Sequence, residues 1–126
     1  MVRWLTTEYI RDLYELRGVL ELHALKRSWG GITPTKIQAV MKLAAQARPG
    51  KAGNWVKRCL DFDLALHKLW TEGCGNPWLI RDLDHHYRFL RVFQLWIGRD
   101  PAAVVVAYQE HLAILKAIRA GDKNRA

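Results

Sequence analysis

The sequence predicts an all-α protein, an antiparallel bundle of about five helices forming one domain over residues 1–126. Three observations carry that reading. Apolar residues recur at three- and four-residue steps along most of the chain, the period of a helix that buries one face. No stretch reads convincingly as a strand, with apolar and polar residues alternating over strand length. The segments between the periodic stretches are short and hold Gly, Pro, Asn and Asp, the residues at which helices stop and start. Linkers that short set neighbouring helices antiparallel.

The first helix lies within LTTEYIRDLYELRGVLELHALKRSW, with Thr6 or Thr7 able to cap its start and Gly30 and Gly31 to stop it. The second, in TPTKIQAVMKLAAQA, opens with Thr33 as N-cap and Pro34 at the first helical position, where a missing N–H removes no helical hydrogen bond. Residues 48–54, RPGKAGN, are a loop. The third helix runs from about Trp55 to Thr71 and ends at EGCGNP. The fourth runs from near Pro77 to Ile97, stopped by Gly98. The fifth has Asp100 as cap and Pro101 behind it, and ends at AGD, residues 120–122. The closing DKNRA reads as the opening of another helix with Asp122 as its N-cap, so the domain reads as cut at its C-terminus.

Half of the residues are hydrophobic, which excludes a disordered chain. Six tryptophans need burial or an interface. Lys and Arg number 20 against 12 Asp and Glu, a net charge of +8. That balance suits an anionic partner, nucleic acid or a small acid, although the charges are scattered and form no run. Cys59 and Cys74 are the only cysteines, and the first residues carry no apolar leader. No segment approaches the length of apolar chain that spans a bilayer. The expected location is therefore the reducing cytoplasm.

Helical periodicity then identifies polar residues that point inward. The third helix is apolar nearly all round, the mark of a helix central in its bundle, yet it carries Asp63 and His67. At i,i+4 these stand about 40° apart and one turn above the other. On the fifth helix the stripe Val104, Tyr108, His111, Leu115, Ile118 contains a histidine. On the first, Ile10, Leu13, Arg17, Leu20, Ala24 contains an arginine; on the fourth, Leu79, Leu83, His86, Leu90, Phe93, Ile97 contains another histidine. Each has a plain alternative. Asp63 and His67 can be a hydrogen-bonded pair, His111 a satisfied core histidine, and His86 turned outward beside His85. Arg17 can pair with Glu21 or carry its charge to solvent. Convergence argues for more: one carboxylate, up to three imidazoles and a guanidinium aimed inward do not minimise desolvation cost. Asp and neutral His suit zinc, nickel or manganese, and an adjacent arginine suits the carboxylate of a small organic acid.

The stretches LYELRGVLELHAL, DFDLALHKLWTEGCGNPWL and YQEHLAILKAIRAGD resemble, in order and spacing, the FCD domain. This is the C-terminal effector-binding domain of the FadR branch of GntR transcription regulators, and the resemblance covers nearly all of the chain. It implies a bundle around a central cavity in which, in many members, one Asp and three His hold a divalent metal. Asp63 and His67 match the first two ligands and His111 the third. The family's fourth ligand comes from a final helix that this sequence lacks, so water, an effector oxygen or another histidine such as His86 would take that position. Arg17 matches an arginine that resembles the family's effector-carboxylate contact. The family's winged helix is also missing from these residues, so DNA would be reached only through a domain outside this chain. The implied function is ligand sensing and dimerisation, with zinc as the first choice of metal, a small organic acid as effector, and a homodimer built on exposed residues of the first and fourth helices. A basic helical nucleic-acid-binding protein is the alternative. A metalloenzyme ranks last, because no general base is evident beyond the ligands.

Overall fold

The computed structural model describes residues 7–50, 53–97 and 100–121, and its architecture is five α-helices: α1 (Thr7–Ser28), α2 (Pro34–Gln46), α3 (Trp55–Gly73), α4 (Pro77–Ile97) and α5 (Pro101–Ala120). The starts of α2 to α5 each have a local cause. Thr33 Oγ1 accepts from the Lys36 amide and Asn54 Oδ1 from the Lys57 amide. Asn76 Oδ1 accepts from the amides of Trp78 and Leu79, and Asp100 Oδ1 from that of Ala102. Proline opens α2, α4 and α5. The stop after α5 is Gly121, at φ 74° in the left-handed conformation that residues with a Cβ rarely adopt. Thr6, Gly98 and Asp122, proposed above as cap, stop and cap, lie outside the described residues.

The central helix is α3, as its apolar circumference requires: it packs against all four others. It is shared by two wedges. In one, α2, α3 and α5 pack together; in the other, α1, α3 and α4 do. The first wedge holds a dry core of Val40, Ala44, Phe62, Leu66, Val104 and Leu115. Phe62 is fully buried and its ring meets that of Tyr108 with centroids 5.6 Å apart. Burying side chains of this kind contributes roughly 1.5–3 kcal/mol each. Helices α1 and α5 both rest on α3 and flank a cleft whose floor is α3. No helix among the described residues is long and apolar enough to cross a membrane.

Candidate functional site

The floor of that cleft carries the polar residues singled out from the sequence. Asp63 and His67 stand one turn apart on α3, and His111 reaches them from α5. Asp63 Oδ1 lies 2.7 Å from His67 Nε2 and 3.2 Å from His111 Nε2. One ligand atom from each residue falls within 4.8 Å of the other two. Side-chain exposure is 13% for Asp63, 8% for His67 and 18% for His111, so the three face one another out of bulk water.

Ligand atoms held about 2.0–2.2 Å from one ion stand roughly 3–3.5 Å apart. The Asp63–His111 separation of 3.2 Å falls in that range, while the 2.7 Å between Asp63 and His67 is a hydrogen-bond contact that a shared cation would widen by a few tenths of an ångström. The chemistry fits as well, because one carboxylate oxygen and two imidazole nitrogens are ordinary ligands for a divalent transition metal. The other ring nitrogen of His67, Nδ1, lies 2.9 Å from Glu21 Oε1, an ion-pair distance without hydrogen-bond alignment. Glu21 thus stands where an outer carboxylate orients a ligating histidine and keeps the proton on the far nitrogen.

Arg17 completes the centre from α1. Its Nε donates to Glu21 Oε1 at 2.8 Å, and its Nη2 lies 3.2 Å from His67 Nε2. The guanidinium sits 5.0 Å from the Tyr87 ring centroid and 5.7 Å from that of Tyr14, contacts that favour a cation. It is buried, so of the two plain readings the pairing with Glu21 holds and the escape to solvent does not.

Mutual charge sets the protonation of the group. Burial alone would raise the Glu21 carboxyl, but the adjacent His67 imidazole, followed by the Arg17 guanidinium, brings it down to about 2. Burial likewise opposes ionisation of Asp63, and His67, His111 and Arg17 together still hold it below the usual carboxylate range. Burial disfavours a charged His67, yet Asp63 and Glu21 push its pKa up. His111 goes the other way: burial lowers it, and the attraction of Asp63 does not compensate. The pair of imidazoles is thereby split, one holding a proton and one favouring the neutral form that binds metal.

His86 is not brought to this centre. Its Nδ1 lies 2.8 Å from the carbonyl oxygen of Asp82 on its own helix, and it lines neither of the two cavities that adjoin the site. The inward position belongs to Tyr87, which is buried. After Leu79 and Leu83 a step of four keeps the buried face where a step of three leaves it. The expectation that His86 contacts an effector or fills a ligand position is corrected accordingly. The remaining members of its proposed stripe, Leu90, Phe93 and Ile97, have side chains outside the described residues.

Two cavities meet at the centre. The first, about 330 Å³, lies between α1 and α5, with Arg17, Glu21, Asp63, His67 and His111 at its polar end. The second, about 340 Å³, lies on the α4 side and shares Arg17, Asp63 and His67 with the first; Lys68, Asp84 and Arg88 make its walls charged. Two members of the arrangement were not selected as site residues from sequence. Glu21 was visible only as a partner for Arg17, since its approach to His67 joins helices far apart in the chain. Tyr87 carried no polar signal of its own; its hydroxyl lies 3.0 Å from Thr71 Oγ1, which donates to the His67 carbonyl. A family model described as the FCD domain matches residues 12–126. Neither curated proteins nor solved structures give a match to the chain.

Proposed function

The chain belongs to the FCD-domain family, the effector-binding module of GntR-type regulators, and on that premise we propose that it senses a small carboxylate through a divalent metal held by Asp63, His67 and His111. The observation that carries the proposal is the approach of two imidazole nitrogens to one carboxylate oxygen, at 2.7 and 3.2 Å, on the floor of a cavity of ligand size. Zinc is the expected ion, with nickel or manganese compatible with the same donors. Bound there, it supplies a Lewis acid that receives a carboxylate oxygen.

The chain's own residues do the rest. Glu21 orients His67 and occupies Arg17 Nε, and Arg17 Nη2 lies beside His67 Nε2, which leaves the Nη1 side of the guanidinium for an acid. A ligand held by Arg17 of α1 and by the α3–α5 centre ties together two helices that otherwise meet through α3. It would favour one packing of the bundle over another, a population shift. In a homodimer, that shift would reach a DNA-binding domain joined to this one. Leu16, Val19 and Leu22 of α1 and Trp78 of α4 are exposed and supply candidate dimer contacts.

Metal analysis of the purified protein is the direct test, with Asp63→Ala and His111→Ala alongside. Near-stoichiometric metal in the wild type and little in either variant is the expected outcome. Equal content in all three would overturn the ligand assignment.

A further inference from the structure

We propose that the cavity between α1 and α5 takes the hydrocarbon tail of an amphipathic monocarboxylate, its acid group at the Arg17 end. The inference rests on the sensing function just proposed and names the class of acid.

The cavity has two chemically different ends. Tyr14 lines the cavity beside Arg17, and the rest of the wall consists of Gly18, Leu60, Ala103, Val104 and Ala107, with the side chains of Cys59 and Tyr108. Those last two carry polar atoms, and both turn them away. The Tyr108 hydroxyl donates to the Ala44 carbonyl at 2.7 Å, and the Cys59 thiol to the Ala47 carbonyl at 3.0 Å. Their remaining surface is ring and sulfur. A sugar acid or a di- or tricarboxylate placed here would strip water from hydroxyls or a second charge against Leu60, Val104 and the alanines, with no exchange of hydrogen bonds. A hydrocarbon tail gains from the same contact.

The second cavity makes the choice discriminating. Lys68 and Arg88 line it, but Arg88 is paired with Asp84 at 3.1 Å, so a second carboxylate reaching that way would have to compete with Asp84. Size narrows the class further. At about 30 Å³ per water-sized group, 330 Å³ accommodates on the order of ten non-hydrogen atoms, the size of octanoate or phenylacetate.

The test is isothermal titration of the zinc-loaded protein, its metal content verified. The probes are acetate, butanoate, hexanoate, octanoate and phenylacetate against malate, citrate and gluconate. Affinity should rise about fourfold per added methylene until the cavity fills, and octanoate should bind at least roughly tenfold tighter than any of the polar acids. Ala103→Phe and Ala107→Phe should each abolish the length dependence while acetate binding and zinc content persist; if one variant fails to fold, the other gives the reading. A flat series, tighter binding of malate, citrate or gluconate, or length dependence that survives the folded variants would overturn the tail assignment and leave carboxylate sensing intact. Zinc-loaded protein that binds none of the acids would overturn both.

Discussion

Phe62 and Asp63 are adjacent in the chain and open onto opposite kinds of interior. Phe62 faces the α2–α3–α5 wedge, where it is fully buried against Tyr108 among apolar neighbours. Asp63 faces the cleft between α1 and α5, where the groups within reach are imidazoles and a guanidinium. The first environment is what a small helical domain needs in order to fold. The second takes at least two carboxylates, two imidazoles and a guanidinium out of water, and hydrophobic residues of similar volume would serve stability at least as well. The α2–α3–α5 wedge is therefore built for folding and the cleft between α1 and α5 for binding, with α3 common to both.

The largest expected effect lies on the apolar side. Phe62→Ala should cost about 3–5 kcal/mol through lost transfer energy and the cavity left behind, measured by urea unfolding of metal-free protein. Asp63→Asn, one residue on, should alter the metal-free stability by no more than about 1–2 kcal/mol, because the amide keeps the shape and one accepting oxygen, and His67 can give up its proton once the charge is gone. Comparable losses in the two variants would break the division between a folding wedge and a binding cleft.

With metal present the ranking changes. At zinc concentrations a hundredfold above its Kd, the wild type should gain about 2.7 kcal/mol by mass action, and Asp63→Asn should gain little. Thermal unfolding with zinc and with a chelator reads this directly. A wild type whose melting temperature ignores zinc would place the polar cleft outside metal chemistry altogether.

The apolar wedge and most of the helix ends were legible in the sequence because they are set locally. Thr33, Pro34, Asp100 and Pro101 mark helix starts by their own backbone chemistry, and α2 and α5 begin where these signals put them; α3 and α4 begin at Trp55 and Pro77, as expected. Asp63–His67 and Arg17–Glu21 were legible as i,i+4 neighbours. The inward turn of His111 followed from its stripe. What was not legible depends on contacts between helices. Glu21 reaches His67 only once α1 crosses α3. The choice of Tyr87 over His86 turned on a helical phase that Leu79 and Leu83 alone do not fix, and on Thr71 being placed to meet a tyrosine hydroxyl.

That interhelical residue gives the next test. If Glu21 orients His67 from behind, Glu21→Gln should lower metal affinity by about ten- to hundredfold while leaving all three proposed ligands in place. Titration with a competing chelator measures it. An unchanged affinity would reduce Glu21 to a partner of Arg17 and restrict the binding cleft to its three ligands.

The smallest effect concerns acid, and its sign follows from the charges of the cleft. The Glu21 carboxyl sits at about 2 in the folded protein against 4.5 as the reference value. A carboxyl depressed in this way contributes stability that is fully present above the unfolded value and is lost as pH falls through the folded one. Asp63, also held low, acts in the same sense. His67, raised by the two carboxylates, acts in the opposite one: its contribution is complete below its unfolded value of 6.5 and fades as pH rises through its folded value. Metal-free protein should therefore lose stability steadily between pH 4.5 and 2. Glu21→Gln should show a shallower acid slope than the wild type in urea unfolding at pH 5 down to 3. Metal binding runs against protons, since His67 must release one from Nε2 to act as a ligand, so zinc should stabilise progressively more as pH rises from 5 to 7. Equal acid slopes in wild type and variant would mean that the Glu21–His67–Arg17 cluster is not the source of the acid response. Zinc stabilisation independent of pH would mean that His67 is not a ligand.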